Sequence, residues 1–193
     1  MWWVQLLNSI VGLLNGGAVG GAGSYESIAT LTASGGETVL SFTSIPSTYV
    51  SLQVRGIYRD TQASALARNL LMQFNSDTGA NYVYHRVEGT GSAATASGGT
   101  AQNQALISDA GVGDSATANI FGTSITDLHN YASTTQNKTL RAIAGVDTNG
   151  GGQIGLSSSL WLSTAAITSI QIKPGNTAFK AGTTFALYGI KGA

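Results

Sequence analysis

The pattern of hydrophobic and polar positions sets the first fifteen residues apart from the rest of the chain. Residues 1–15, MWWVQLLNSIVGLLN, carry no charge. On a helix they place their apolar side chains over an arc of roughly 200°, which is wider than the stripe that covers one core. We therefore predict an N-terminal helical arm that docks onto a partner through Trp2, Trp3, Leu6, Leu7, Ile10, Leu13 and Leu14, with Val4 and Val11 beside them.

The rest of the chain shows a different pattern. Residues 16–24, GGAVGGAGS, form a glycine-rich hinge. From residue 25 onwards, short alternating or β-branched runs are separated by turn residues. With no helical period between them, these runs predict an all-β domain over 25–193, an antiparallel, jelly-roll-like β-sandwich of about ten strands. The predicted strands are Glu26–Ala33, Thr38–Phe42, Val50–Arg59, Arg68–Phe74, Tyr82–Val87, Gln104–Ile107, Ala118–Leu128, Thr139–Val146, Gln153–Leu162, Ile167–Ile172 and Thr183–Ile190.

Two segments between the predicted strands have a distinctive composition. Residues 89–101, GTGSAATASGGTA, are small and polar, and they predict a long exposed loop that is either a binding site or a mobile tip. Asp147 and Asn149 resemble the start of a calcium loop, but no Glu closes it. We therefore predict a hairpin turn there and no metal site.

Composition and charge exclude several classes of protein. Only 9% of the residues are charged, against a usual value of about a quarter. Nine basic and nine acidic residues cancel and are scattered singly, so no nucleic-acid interface is expected. The absence of cysteine excludes disulfides and thiolate metal sites. We expect no cofactor.

The N-terminal segment fits neither a signal peptide nor a membrane span. No charged residue precedes Glu26, whereas a signal peptide begins with a basic region. The apolar run ends at Asn15 after ~22 Å of helix, which is short of the ~30 Å hydrocarbon core. We expect no membrane span and interpret the segment as a protein-docking element.

Candidate catalytic motifs are weak. Asp77 begins an Asp-Thr-Gly-Ala sequence like that of aspartic proteases, but polar turn residues precede it where those enzymes have an apolar strand. The two histidines, His85 and His129, lie in predicted strands, and no strand-to-helix nucleophile elbow accompanies them. We therefore expect a turn aspartate, structural histidines and no enzymatic activity.

One aromatic cluster leaves two interpretations open. Tyr82 and Tyr84 share one face of a predicted strand, and Arg86 lies two residues further on. The cluster is either part of a core or trimer interface, or a saccharide-stacking platform on which His85 and Arg86 would donate hydrogen bonds. These four residues are thus candidates for a ligand site or a trimer interface.

Several segments together resemble a group of small structural proteins of tailed bacteriophages, common among aquatic and cyanobacterial phages. The matching segments are Ser24–Thr30, SIPSTYVSLQVRG over 44–56, QFNSDTGANYVYHR over 73–86, and a closing stretch over 165–192 that contains Phe-x-Leu-Tyr-Gly-Ile. The resemblance covers residues 24–193 and leaves out the first fifteen. It implies a β-sandwich that assembles as a homotrimer on a virion, and it implies no catalytic residues.

A virion location leads to three functional expectations. The first is a capsid decoration, or cement, protein on the outer surface of a phage particle, held to capsid proteins through residues 1–15. The second is a receptor-binding tail-fibre protein attached to the tail or baseplate through the same segment, with a host-surface glycan as a candidate ligand. The third is a free carbohydrate-binding module.

Overall fold

The computed structural model describes residues 24–67 and 69–192 of the chain. This part is all-β and contains fourteen strands, whose mutual pairings are all antiparallel. The strands are β1 Tyr25–Thr32, β2 Leu40–Phe42, β3 Ser51–Tyr58, β4 Leu66–Ala67, β5 Leu70–Phe74, β6 Tyr82–Gly89, β7 Ala94–Gln102, β8 Ala105–Ser108, β9 Gly111–Val112, β10 Gly122–His129, β11 Lys138–Asp147, β12 Gly152–Trp161, β13 Ile170–Lys173 and β14 Thr184–Ile190.

Two main sheets face each other. The larger sheet has eight strands in the order β1-β14-β3-β10-β11-β12-β6-β7, and the smaller has four in the order β2-β13-β5-β8. Strands β4 and β9 form a separate two-stranded ribbon. The predicted all-β, sandwich-like antiparallel architecture is therefore confirmed, while the predicted helix over residues 1–15 lies outside the described residues.

The core lies between the sheets because alternate residues of each strand point inward. In the smaller sheet, Met72 of β5 and Ile172 of β13 are directly paired, and neither is accessible to solvent. In the larger sheet, Phe185 and Leu187 of β14 are equally buried. Full burial of each such side chain contributes about 1.5–3 kcal/mol. This period-two pattern is what the sequence signalled.

Strand β1 forms one edge of the larger sheet and carries the connection to the N-terminal segment. Tyr25 pairs with Ile190, and the backbone N–H of Lys191 donates to the carbonyl of Ser24 over 3.0 Å. The Glu26 carboxylate accepts hydrogen bonds from the Lys191 ammonium and, over 2.9 Å, from the Tyr49 hydroxyl. The Lys191 contact is the main cause of a lowered pKa at Glu26. These contacts, hereafter the β1 latch, fix the start of β1 to the sheet.

The predicted loop over 89–101 is wrong, because most of it is strand β7. Arg86 and Val87 of β6 pair with Ser97 and Ala96 of β7, and the turn between the strands is closed by a bond from the Thr90 N–H to the Ala93 carbonyl (3.0 Å). Strand β7 is an edge strand whose small side chains are almost all exposed. It therefore lacks the alternating apolar signal by which strands are recognised.

Candidate interaction surface

The seven large residues predicted to dock the chain, and the whole of segment 1–15, lie outside the described residues. Their docking role stays a prediction. The candidate site described below is therefore built from the sandwich itself.

Tyr82 is a core residue. Its side chain is fully buried, and its ring stacks on Trp161 with ring centroids 6.3 Å apart and 17° between the planes. The hydroxyl accepts a hydrogen bond from the Phe74 backbone N–H (3.1 Å) and donates to the Asp77 carbonyl (3.3 Å). Burial raises the pKa of Tyr82 to about 12. A role in stacking a saccharide or a neighbouring subunit does not fit this position, because no face of the ring is accessible.

Asp77 holds a turn together. Its carboxylate accepts hydrogen bonds from the Trp161 indole N–H (2.7 Å), the Asn81 amide (2.9 Å) and the Gly79 backbone N–H (2.8 Å). The Trp161 bond is the main cause of its lowered pKa. All of these donors stabilise the ionised form. This is the turn aspartate that the sequence predicts.

Tyr84, His85 and Arg86 do not form one platform, because successive side chains of β6 point to opposite faces. Tyr84 and Arg86 lie on the same face as Tyr82, as the sequence predicts, and that face points inward, while His85 points outward and is exposed. The Arg86 guanidinium pairs with the buried carboxylate of Asp109 and donates through Nε to the Ser97 hydroxyl (2.7 Å). Arg86 thus ties β6 and β7 to the loop that follows β8.

A polar network crosses one end of the larger sheet's outer face. The Asp127 carboxylate accepts from the Gln53 amide (2.6 Å) and from Arg141 Nε (3.2 Å). The Gln53 side-chain oxygen accepts from Arg55 Nε (2.5 Å). The Arg55 guanidinium also lies over two aromatic rings, 5.3 Å from the centroid of Tyr25 and 5.2 Å from that of Tyr188. The charges on this part of the face therefore have partners.

His129 contacts a serine but belongs to no hydrolase triad. Its Nδ1 lies 2.9 Å from the Ser51 hydroxyl oxygen. Asp127, two residues away on the same face, is engaged by Gln53 and Arg141. A Ser-His-Asp triad needs the carboxylate to orient the imidazole, and that contact is absent within the described residues.

Next to this network, the outer face of the larger sheet is apolar. An unbroken cross-strand row runs from Ile125 through Ile143, Leu156 and Val87 to Ala96. The next row adds two further isoleucines. We call this surface the apolar strip; its large side chains, between 39% and 60% exposed, are Ile57, Val87, Ile125, Ile143, Ile154 and Leu156.

The strip is not flat. At the end formed by β12, β6 and β7, a shallow depression of about 540 Å³ lies among Val87, Ala94, Ala96, Ile154 and Leu156. The small side chains of β7 line one side of the depression, and the large aliphatic side chains of β12 line the opposite side. The opposite end of the strip carries Ile57 of β3 and Ile125 of β10, and a smaller depression of about 250 Å³ lies beside Ile125, between β10 and β11.

The outer face of the smaller sheet is different. Gln171 of β13 pairs with Ser41 of β2 and with Gln73 of β5, and Lys173 bonds to Gln73 on the same face. Leu71 and its cross-strand partner Leu106 are the large apolar residues there, and they are half-buried and buried. Of the ten exposed large apolar residues in the described chain, none lies on the smaller sheet and six form the apolar strip. The apolar exposure is therefore concentrated on one face.

The strip exists because strands β11 and β12 carry their small residues inside. Ala142, Ala144, Ser157 and Ser159 point inward and are buried. The two serine hydroxyls donate to carbonyls of β8, over 2.7 Å and 2.9 Å. Because these side chains are small, β8 can lie close to β12, and the serine hydroxyls satisfy backbone carbonyls of β8. The large side chains of the same strands consequently face outward.

Other classes of site are not evident in residues 24–67 and 69–192. No group of three or more histidine, aspartate or glutamate side chains there could hold a metal ion. No helix in that part is long and apolar enough to cross a membrane. In comparisons with known proteins, no family model matches the chain, and no curated protein matches it. The apolar strip is therefore the most distinctive surface of the described chain.

Proposed function

We propose that this chain is a non-catalytic structural protein of a tailed-phage virion. It forms a trimeric, jelly-roll-like β-sandwich knob on the outer surface of the particle, docks through residues 1–15, and acts as a capsid decoration protein. The single observation that carries the proposal is the apolar strip: a soluble sandwich that presents one polar and one apolar outer face is suited to assembly.

The size and position of the strip support an assembly role. Contiguous exposed apolar patches larger than a few hundred square ångströms mark interaction sites on soluble proteins. Here six large aliphatic side chains are in cross-strand register, whereas scattered exposed apolar residues would need no explanation. The resemblance of four segments to phage structural proteins points to the same class of function.

The buried charged groups support a structural role because they hold the fold together. The Arg59 guanidinium donates to the carbonyls of Thr117 (2.7 Å), Ala116 (2.8 Å) and Asp114 (3.2 Å), and so fixes the loop before β10. The Lys138 ammonium donates to two further carbonyls. Groups engaged in this way are not free to bind or activate a substrate.

The N-terminal segment supplies the attachment in this proposal. Burying two tryptophans and several aliphatic side chains is worth on the order of 10 kcal/mol before ordering costs are subtracted. In a trimer, three linked segments bind as one multivalent unit, which raises the overall affinity further. Uncharged polar residues on the rest of the segment, such as Gln5 and Asn8, keep the desolvation cost low.

Deletion of residues 1–15 tests the docking role. Tagged full-length protein and the deletion variant are expressed during infection, and purified particles are assayed for each. We expect the variant to fold normally and to be absent from particles. A Trp2→Ala, Trp3→Ala double variant, which keeps the segment's length, should be bound more weakly than wild type. Undiminished incorporation of the deletion variant would refute the docking role.

Counting copies on intact particles by cryo-electron microscopy tests the location. Many trimers distributed over the head support a decoration protein. About six or twelve positions at the tail, as tail symmetry requires, would instead establish the receptor-binding alternative.

A further inference from the structure

We propose that the apolar strip is the contact surface between copies of this chain. The proposed function supplies only the expected number of copies, three; the surface and its occupant follow from the geometry of the larger sheet. The resemblance to phage proteins implies a trimer but does not say which face forms the interface.

The outer face of the larger sheet has the area that such a contact needs. Six inter-strand spacings of ~4.8 Å and strands of about eight residues at ~3.3 Å each give the face from β14 to β7 a projected area on the order of 750 Å². A standard protein interface buries about 800 Å² on each partner. The strip forms two cross-strand rows of this face, at the end of the strands that includes the β11–β12 hairpin, and it extends to the edge strand β7. The polar network lies at the other end of the strands.

The chemistry of the face matches the anatomy of a protein interface. Interfaces have an apolar centre depleted in charge and a polar rim. The strip has no charged residue among its members, while Asp127, Arg141 and His85 lie in the adjacent cross-strand row. Arg55 continues the strip's own row beyond Ile125, and its guanidinium lies over the rings of Tyr25 and Tyr188. Asp127 and Arg141 already pair with each other, so a second copy could cover the centre without burying an unpaired charge.

In this proposal the two ends of the strip meet in the contact between copies. Ile57 and Ile125, which are 47% and 39% exposed, lie at the β3 and β10 end, and the depression of about 540 Å³ lies at the β12, β6 and β7 end. Packing the Ile57 and Ile125 end of one copy into the depression of the next gives a head-to-tail contact. Head-to-tail contacts close into rings when the rotation between copies allows it, which is how cyclic trimers form.

Strand β7 leaves the depression open to a neighbour. The side chains of Ala94 and Ala96 are small and exposed, and β7 contains no charged residue and no proline. Charged residues and proline are devices that keep edge strands from contacting other chains. Their absence here is consistent with an edge that is covered in the assembled protein.

A matched pair of substitutions in the full chain tests the interface. Leu156 and Leu162 are 50% and 48% exposed, but Leu162 follows the end of β12, away from the strip. We expect Leu156→Glu to weaken self-association at least about 30-fold, as for a central interface residue, and Leu162→Glu to leave it nearly unchanged. Sedimentation velocity measures the association, and thermal melting verifies that both variants are folded.

Cross-linking tests which ends meet. Because the chain has no cysteine, introduced cysteines can form disulfides only with one another. A mixture of Ile57→Cys and Ala96→Cys chains should yield covalent heterodimers on mild oxidation. A mixture of Ile57→Cys and Leu162→Cys chains should not. Equal yields from the two mixtures would overturn the head-to-tail contact.

Two other outcomes would overturn the strip as the contact surface between copies and would leave the proposed role on the virion unaffected. If the folded Leu156→Glu variant associates as tightly as wild type, the interface lies elsewhere. If the full chain is monomeric and the strip is shielded from hydroxyl-radical labelling only while residues 1–15 are present, the strip is covered by the chain's own N-terminal segment. Incorporation into particles is measured separately, so a failure of docking is distinguishable from a failure of the interface.

Discussion

Replacing Tyr82 with Phe removes one hydroxyl and leaves the rest of the aromatic cluster in place. The Phe74 backbone N–H, which donates to that hydroxyl over 3.1 Å, is then buried without its acceptor. The ring still stacks on Trp161, so little apolar contact is lost. The bond that the hydroxyl donates to the Asp77 carbonyl over 3.3 Å is lost as well. The variant therefore measures the free energy of the two hydrogen bonds of this hydroxyl, of which the one from the buried Phe74 N–H is the shorter.

The expected cost follows from the unpaired donor. A buried donor left without a partner destabilises a protein by about 1–3 kcal/mol. For a domain of this size, 1 kcal/mol corresponds to a change in Tm of about 2–4 °C. We therefore expect Tyr82→Phe to lower the Tm by about 4–8 °C, taking 2 kcal/mol as the central value.

Thermal melting followed by circular dichroism measures the effect at one fixed protein concentration, because association shifts the Tm of an oligomer. Tyr84→Phe is the control. Tyr84 lies on the same strand and face, and its hydroxyl makes no hydrogen bond to any described residue. We expect its Tm to change by about 1 °C or less, because the substitution removes no hydrogen bond and leaves the ring in place. Equal changes in the two variants would refute the role assigned to the Tyr82 hydroxyl.

Three further predictions concern the supports of the sandwich. Arg59→Lys loses the planar fork that binds several carbonyls and should cost about 2–4 kcal/mol in urea unfolding. Gly56→Ala would place a methyl carbon 2.1 Å from the buried phenylalanine ring paired with it on β14 and should cost about 1–3 kcal/mol, whereas Gly145→Ala meets nothing nearer than 3.8 Å and should be nearly neutral to packing. The hydrogen bond from the Ser34 hydroxyl is the main cause that lowers the pKa of Glu37 to about 2. The ionised Glu37 therefore stabilises the folded state above about pH 4.3, and this stabilisation is lost as the pH falls towards 2. Glu37→Gln should make the free energy of unfolding depend less on pH between these two values.

Much of the fold could be predicted from the sequence because the strands follow a period of two. Ile170 and Ile172 alternate with polar residues and point inward as that pattern requires. Asn149 and Gly150 adopt positive φ angles in the β11–β12 hairpin, as their residue types favour. The sharing of one face by Tyr82 and Tyr84 was likewise predictable from their spacing.

The sequence does not reveal which of the alternating residues of β11 and β12 face the core and which face outward. Ile143 and Leu156 are the large residues of their strands, and hydrophobicity alone would place them in the core. In the structure they face outward, while Ala142 and Ser157 face inward beneath β8. The close approach of β8 depends on tertiary packing between residues distant in sequence. The one indication in the sequence is that large aliphatic residues alternate with alanine, serine or glycine on these neighbouring strands.

The β1 latch has a mechanical consequence for any protein held by its N-terminal segment. Force applied to residues 1–23 enters the sandwich at Ser24 and loads β1, an edge strand that is bonded in its sheet to β14 alone. The Lys191 N–H, the Lys191 ammonium and the Tyr49 hydroxyl all bind within the first three residues that take the load. The ion pair and the two hydrogen bonds therefore take the load first. They must break before the backbone hydrogen bonds between β1 and β14 can separate one after another.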